Sequence, residues 1–138
     1  MNNELYYYLE KKGDCYGTLK DWWKQHEAFE GNDIPYESMP TRVFTVARNG
    51  VELYKVAVYA TDSDMCWIGW ITANPYTTMR QRYKALEFLY NKISEYMSSI
   101  GFNVMISKTK QTGLMKTLDN TGFINIEPQT NFYIKDLN

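Results

Sequence analysis

The sequence predicts a single α+β domain in which helices flank a mixed sheet. Its 138 residues suit one domain and leave no room for a second, so we assign 1–138 to one unit. Hydrophobic periodicity gives the order β-α-β-β-β-α-β-α-β-β. The strand–helix–strand run over 65–73, 78–99 and 102–107 is a candidate right-handed crossover, which predicts that its two strands are parallel neighbours. The antiparallel hairpin before that run makes the sheet mixed.

The N-terminal part predicts a strand, a helix and a loop. Residues 4–11 are aromatic-rich and short, which is typical of a strand. Residues 14–28 follow as a helix, with Thr18 as a candidate cap. Its apolar face has helical spacing and consists of Leu19, Trp22, Trp23 and His26. Prolines and a glycine make 30–41 a loop.

A hairpin and a buried strand follow. Asn49-Gly50 is the favoured two-residue turn between strands at 42–47 and 51–60. Residues 65–73 are mostly apolar, which suits a central strand, and Gly69 predicts a bulge within it.

The C-terminal half predicts the remaining helices and strands. Thr77 or Thr78 begins a helix that runs to about Ser99 and ends at Gly101. The elements after it are a strand at 102–107, a helix at 111–121, and closing strands at 123–126 and 131–135.

Composition excludes several classes of protein. Fifteen basic and 16 acidic residues give a net charge of −1, which disfavours general nucleic-acid binding. No apolar run reaches the roughly 20 residues of a membrane helix, and the first residues do not resemble a signal peptide. Cys15 and Cys66 have no paired spacing and His26 is the only histidine, so we expect reduced thiols, no metal site and a cytoplasmic location. Twelve tyrosines and four tryptophans favour a protein partner or a homo-oligomer.

Two segments of the chain carry a resemblance to a known family, and they read WITANPYTTMRQRYKALEFLYNKISEYMSSIGF and LMKTLDNTGF. Together they resemble the GNAT superfamily of N-acetyltransferases. The resemblance covers most of the chain and looks closest to small bacteriophage proteins with this fold. Those proteins share the Trp22-Trp23 helix and the Thr61-Asp62-Ser63 turn. A viral origin would imply the host cytoplasm or a virion.

The resemblance implies an acetyl-CoA pyrophosphate site at the start of the long helix, where free amides and the helix dipole favour an anion. The implied residues are Arg80, Gln81, Arg82, Tyr83, Lys84 and Ala85, with Gln111 near the cofactor. The family motif is degenerate here, because Tyr83 stands where the family has glycine. Tyr83 either crowds the phosphates or points away, while the cations partly replace amide contacts. The alternative is a solvated basic first turn.

The resemblance also implies that pantetheine pairs with the central strand at Trp70, Ile71 and Thr72. Such pairing requires the strands at 67–73 and 102–107 to separate, which would expose their backbone groups to a ligand. The alternative is an ordinary buried strand.

No catalytic residue is assigned. Leu118 stands where the family often has a tyrosine acid. For the other candidate residues, a structural role in a turn, a strand or the core is an equally good explanation. These residues are His26, Glu37, Glu52, Tyr59, Asp62, Asp64, Cys66 and Tyr133. The Trp22-Trp23 pair either shapes an acceptor pocket or places one ring in the core and one on a loop.

Two functions remain in view. One is an acetyl-CoA-dependent N-acetyltransferase in which a primary amine attacks directly. The alternative is a catalytically degenerate binding or structural module, such as a virion component or an inhibitor of a host protein. Nucleotide or base modification has no support from particular residues.

Overall fold

The computed structural model describes residues 4–26, 33–109, 112–127 and 132–138. The predicted order of strands and helices is confirmed. The elements are β1 (Leu5–Lys11), α1 (Lys12–Gln25), a 3-10 turn (Tyr36–Ser38), β2 (Arg42–Arg48), β3 (Val51–Ala60), β4 (Met65–Ala73), α2 (Ala85–Ser99), β5 (Val104–Lys108), α3 (Thr112–Asn120), β6 (Ile124–Glu127) and β7 (Phe132–Asp136).

The seven strands form one mixed sheet in the order β1-β2-β3-β4-β5-β7-β6. Strands β1 to β4 are antiparallel neighbours, and β4 pairs with β5 in parallel as the crossover predicted. Strand β7 lies between β5 and β6 and is antiparallel to both. The sheet therefore consists of two antiparallel parts that meet at the β4–β5 pair.

The β2–β3 hairpin turns at Asn49 and Gly50, as predicted. Their φ angles are 53° and 77°, and positive φ at both central residues is what the tight hairpin turn requires. This local sequence therefore sets the register at the turn between β2 and β3.

The predicted bulge lies at Gly69. Ala57 pairs with Trp70 and Val58 with Ile68, so Gly69 is an extra residue in β4. A Cβ at Gly69 would lie 2.3 Å from the ring of Tyr59, which explains the glycine. The extra residue changes which side chains of β4 face each layer of helices.

The sheet has a core on each face. The larger core lies under α2 and includes Phe44, Leu53, Leu89, Ile93 and Met105. The smaller core lies under α1 and consists of Cys15, Leu19, Trp22, Trp23, Ile34, Met39, Val43 and Ala57. Both tryptophans of the pair are buried in it beside Ile34 and Met39 of the following loop region, so neither ring is exposed on the surface.

Helix α1 begins earlier than predicted. It starts at Lys12, directly after β1, and Thr18 lies in its interior, so the predicted cap is wrong. The N-cap residue Lys11 makes no side-chain cap. Burial of Cys15 extends the packed face of the helix one turn before Leu19, and this packing outweighs the cap signal.

Helix α2 begins later than predicted, at Ala85. Thr78 and Gln81 do form a reciprocal cap, with Gln81 Oε1 accepting from the Thr78 amide at 2.7 Å and Thr78 Oγ1 accepting from the Gln81 amide at 3.2 Å. Lys84 then adopts a left-handed conformation with φ 57°, which interrupts the helical path after one turn. The predicted cap is therefore present, but the turn that it starts is not continuous with α2.

Other described features bear on the class of protein. None of the described helices combines the length and apolar character needed to span a membrane. Cys15 and Cys66 are buried free thiols. Among the described residues, no group of His, Cys, Asp and Glu side chains is arranged to hold a metal ion.

Candidate functional site

The sheet forks between β4 and β5. Their ladder has the pairs Met65–Val104, Cys66–Met105 and Trp67–Ile106, and β4 continues beyond it to Ala73. The backbone amide of Asn74 donates to the Leu53 carbonyl on β3 at 2.8 Å. Because hydrogen-bonding direction alternates along a strand, the backbone groups of Ile71 and Ala73 point to the open side of the fork.

A cleft of about 1030 Å³ lies at this fork. It is enclosed by the open edge of β4, the start of α2 and one side of α3. Its lining includes His26, Tyr54, Ile71, Thr72, Ala73, Arg82, Tyr83, Lys84, Leu86, Glu87, Gly113, Lys116, Thr117 and Asn120. The cleft therefore joins an unpaired strand edge to a helix N-terminus.

The start of α2 offers free backbone donors. The Ala85 amide donates to the Arg82 carbonyl at 3.0 Å, and the Phe88 amide donates to the Lys84 carbonyl at 3.1 Å. Within the described residues, the amides of Leu86 and Glu87 have no protein acceptor. Free amides at the positive end of a helix dipole favour an anion.

Two arginines hold the loop before α2. The guanidinium of Arg82 donates to the carbonyl oxygens of Asn74 and Thr77, at 3.2 and 2.8 Å. Arg48 donates to the carbonyl oxygens of Gln81 and Tyr83, at 2.8 and 3.2 Å. The loop carbonyls are thus occupied by protein donors.

The charge around the cleft is positive. Arg82, Lys84 and Lys116 are among its lining residues, whereas Glu87 is the acidic residue among the described ones there. Glu87 Oε1 also accepts from Asn120 Nδ2 at 2.8 Å, a contact between α2 and α3. An anionic ligand would meet a favourable potential here.

The end of α1 is hydrogen-bonded to the end of β4. His26 Nε2 donates to the Ala73 carbonyl at 2.7 Å, and Trp23 Nε1 donates to Thr72 Oγ1 at 3.0 Å. His26 therefore has a hydrogen-bonding role at the rim of the cleft.

Solved structures with the same architecture cover nearly the whole chain. An acetyltransferase of the GNAT family from Staphylococcus aureus is 13% identical, with a TM-score of 0.73, over 98% of this chain and 100% of its own. A putative acetyltransferase from Salmonella typhimurium, solved with its cofactor acetyl-CoA, is 12% identical, with a TM-score of 0.68, over 99% and 95%. An N-acetyltransferase from Thermoplasma acidophilum, solved with coenzyme A, is 9% identical, with a TM-score of 0.68, over 95% and 99%.

The chain has the GNAT acyltransferase fold. Identities this low show the fold alone. No protein-family profile matches the sequence, and no curated protein sequence is significantly similar to it.

The predicted cofactor residues divide into two groups in this GNAT fold. Ile71, Thr72, Arg82, Tyr83 and Lys84 all line the cleft. The other predicted residues do not line it within the described chain, and they are Trp70, Arg80, Gln81 and Ala85. Gln111 lies outside the described residues.

The residues outside the cleft have other contacts. Trp70 donates from its Nε1 to the Tyr59 hydroxyl at 2.9 Å. Gln81 caps Thr78, and Ala85 is buried under the helix start.

Tyr83 does not fill the cleft. Its side chain is 66% exposed at the rim, and the ammonium of Lys84 lies 5.8 Å from its ring centroid. Tyr83 therefore lines the cleft with a largely exposed side chain, and whether its ring crowds a bound phosphate stays a prediction.

Of the candidate catalytic residues, His26 lines the cleft, and the others are not among its lining residues. Tyr133, Cys66 and Leu118 are buried in the larger core, and burial raises the pKa of the Cys66 thiol to about 11. Tyr59 donates its hydroxyl to the Ser38 carbonyl at 2.6 Å. Asp64 accepts from Asn103 across the β4–β5 junction, and Asp62 and Glu37 are exposed.

A buried charge cluster surrounds Lys55, and sequence reasoning missed it. This lysine is 1% exposed, and its Nζ donates to Glu10 Oε1 at 2.5 Å, Glu52 Oε2 at 2.9 Å and Thr45 Oγ1 at 3.0 Å. Tyr8 also donates to Glu52. Burial opposes ionisation of Glu52, but the hydrogen bonds from Tyr8 and Lys55 outweigh it and lower the pKa of this carboxyl. The available signal was strand alternation, which places Lys55 on an inward-facing position of β3.

Proposed function

We propose that the protein binds acetyl-CoA in the cleft and transfers the acetyl group to a primary amine. The observation that supports this most is the meeting of the open β4 edge with the start of α2 around one cavity. Solved structures of the same fold are described with acetyl-CoA or coenzyme A, which supports the same ligand class here.

The residues present fit such a cofactor. The volume of about 1030 Å³ is at the upper end of the range for ligand sites, roughly 300–1,000 Å³. Amides of Leu86 and Glu87, together with the ammonium groups of Lys84 and Lys116, suit a pyrophosphate. The backbone of Ile71 and the amide of Ala73 offer strand-like hydrogen bonds to an extended amide chain, whereas the Ala73 carbonyl already accepts from His26.

Acetyl-CoA, when bound, supplies an activated acyl group that a neutral amine can attack. This chain orients the two reactants, because a fixed cleft converts their encounter into a unimolecular step. A backbone amide at the fork can stabilise negative charge that develops on an acyl oxygen. No side chain is assigned as the base.

The binding half of the proposal is tested by calorimetric titration with acetyl-CoA. Thr117 lines the cleft on α3, so Thr117→Trp should obstruct it with a large ring and strongly weaken binding. Asp119 is exposed on the same helix and does not line the cleft, so Asp119→Trp is the matched control and should bind normally. Failure of the wild-type chain to bind at about 1 mM acetyl-CoA would end the proposal.

The transfer half is tested by release of free thiol from acetyl-CoA with a panel of primary amines. Both cysteines of the chain are buried, so the folded protein contributes little background to a thiol reagent. Turnover that Thr117→Trp abolishes and Asp119→Trp retains would support catalysis at this cleft.

A second candidate is a binding module that does not catalyse transfer. The buried position of Leu118 favours it, because a leucine in the core cannot protonate a leaving thiolate. Acetyl-CoA binding without thiol release from any amine would support this candidate over the enzyme.

A further inference from the structure

An exposed apolar row crosses the sheet on the face opposite α2. Register pairs Tyr59 with Trp67, Trp67 with Ile106, Ile106 with Ile134, and Ile134 with Ile124. Directly paired residues share a face, so these five side chains form one line across β3, β4, β5, β7 and β6. We call this line the apolar row.

The apolar row is accessible to solvent. Ile124 is 67% exposed and Trp67 46% exposed, whereas the neighbouring Cys66 and Met105 are buried in the core under α2. Five strands at about 4.8 Å spacing make the row roughly 19 Å long. The other three members, Tyr59, Ile106 and Ile134, are partly exposed. A contiguous apolar surface that is partly exposed is typical of an interaction site.

Two opposite charges lie on either side of the row. Lys108 is two residues beyond Ile106 on β5, and Asp136 is two residues beyond Ile134 on β7. Because β5 and β7 are antiparallel, Lys108 lies on one side of the row and Asp136, which pairs with Val104, on the other. Both are exposed and on the same face as the row.

We propose that this face binds a second copy of the chain, with the two apolar rows stacked on each other. A two-fold axis parallel to the row turns the second copy over, so that Lys108 of each copy faces Asp136 of the other. Such an interface is isologous and electrostatically self-complementary. The net charge of −1 adds little repulsion between copies.

Sedimentation velocity from about 1 to about 200 µM tests the interface, because dimer formation depends on concentration. We expect the wild-type chain to shift from monomer to dimer in this range. Ile124→Lys should raise the midpoint concentration at least tenfold. Ile100 is 42% exposed at the end of α2, away from the row, so Ile100→Lys should leave the midpoint unchanged.

A charge exchange tests the orientation. Lys108→Asp and Asp136→Lys alone each place like charges together and should weaken the dimer, whereas the double variant should restore it. A wild-type chain that stays monomeric would overturn the proposal and leave the face to a ligand or another protein. A dimer that persists in Ile124→Lys, or a double variant without recovery, would overturn it as well.

Discussion

Arg48 Nη2 lies 3.2 Å from the carbonyl oxygen of Tyr83, so the end of β2 holds the loop that leads into α2. The same guanidinium contacts the Gln81 carbonyl at 2.8 Å. This arginine touches the loop from the side of the sheet and is not among the residues that line the cleft. Its effect on a ligand would therefore be one of position.

Arg48→Met should weaken acetyl-CoA binding about tenfold, or 1.4 kcal/mol. The reason is that the loop before the free amides loses the two hydrogen bonds that hold its carbonyl groups in place. The unfolding free energy should fall by no more than about 1.5 kcal/mol, since the lost hydrogen bonds are exposed. Calorimetry and urea denaturation measure the two effects. Arg42→Met, at the other end of β2, is the charge-matched control; equal affinities for both variants would show that Arg48 does not position the loop.

Lys55→Ala should lower the unfolding free energy by about 3–5 kcal/mol, because it leaves two carboxylates without their buried cation. The pair Lys20–Asp33 provides the control, since its atoms are 3.6 Å apart and its side chains are 45% and 31% exposed. Lys20→Ala should cost less than about 1 kcal/mol. Similar losses for both variants would contradict a special role for the buried cluster.

The same cluster predicts a dependence on pH. The pKa of Glu52 is lowered in the folded chain from its ordinary 4.5, so its contribution to stability is present above that pH and is lost as pH falls below it. The difference in unfolding free energy between the wild-type chain and Lys55→Ala should therefore become smaller below about pH 4.5. Denaturation measured over a series of acidic pH values tests this. A constant difference down to pH 3 would be the contrary result.

Gly69→Ala should destabilise the fold by about 1–3 kcal/mol, because its Cβ would overlap the ring of Tyr59. In a Tyr59→Ala background the same change should cost less, which a double-mutant cycle detects as coupling. Gly17 is the control: it lies inside α1, and a Cβ there would meet no atom within 4 Å, so Gly17→Ala should stabilise by about 0.5–1 kcal/mol. Additive effects at 59 and 69 would contradict the steric explanation.

Burial raises the pKa of both Cys15 and Cys66 from 9.0 to about 11. The unfolded chain then loses these protons first as pH rises, so stability is complete below pH 9 and declines above it. Urea denaturation between pH 8 and 11 should show a shallower decline for the Cys15→Ala/Cys66→Ala variant than for the wild-type chain. Identical slopes would exclude the thiols as the cause.

Short sequence motifs predicted the fold well where the backbone conformation at a position allows few residue types. Asn49-Gly50 fixed the hairpin because both positions need positive φ, and Gly69 marked the bulge because no side chain fits against Tyr59. Gly101 and Gly122 end their helices with φ of 105° and 90°. These features depend on the backbone of a few neighbouring residues, which sequence reasoning can assess.

Features that depend on distant residues were not predictable from the sequence. The left-handed Lys84 delays α2, and nothing in a lysine indicates that conformation. The apolar row requires β7 to lie between β5 and β6, and this position depends on the strand order of the whole sheet. The Arg48 contacts and the Lys55–Glu10 pair likewise join residues 33 or more positions apart, beyond the reach of local patterns.

The short β4–β5 ladder also bears on how the chain opens. Because three residue pairs join the two antiparallel parts of the sheet, we expect partial unfolding to divide the sheet at that junction. Amide protons of β5, β6 and β7 would then exchange through an event that leaves β1 to β4 intact. A ligand that bridges the fork would suppress that event and couple the halves into one folding unit.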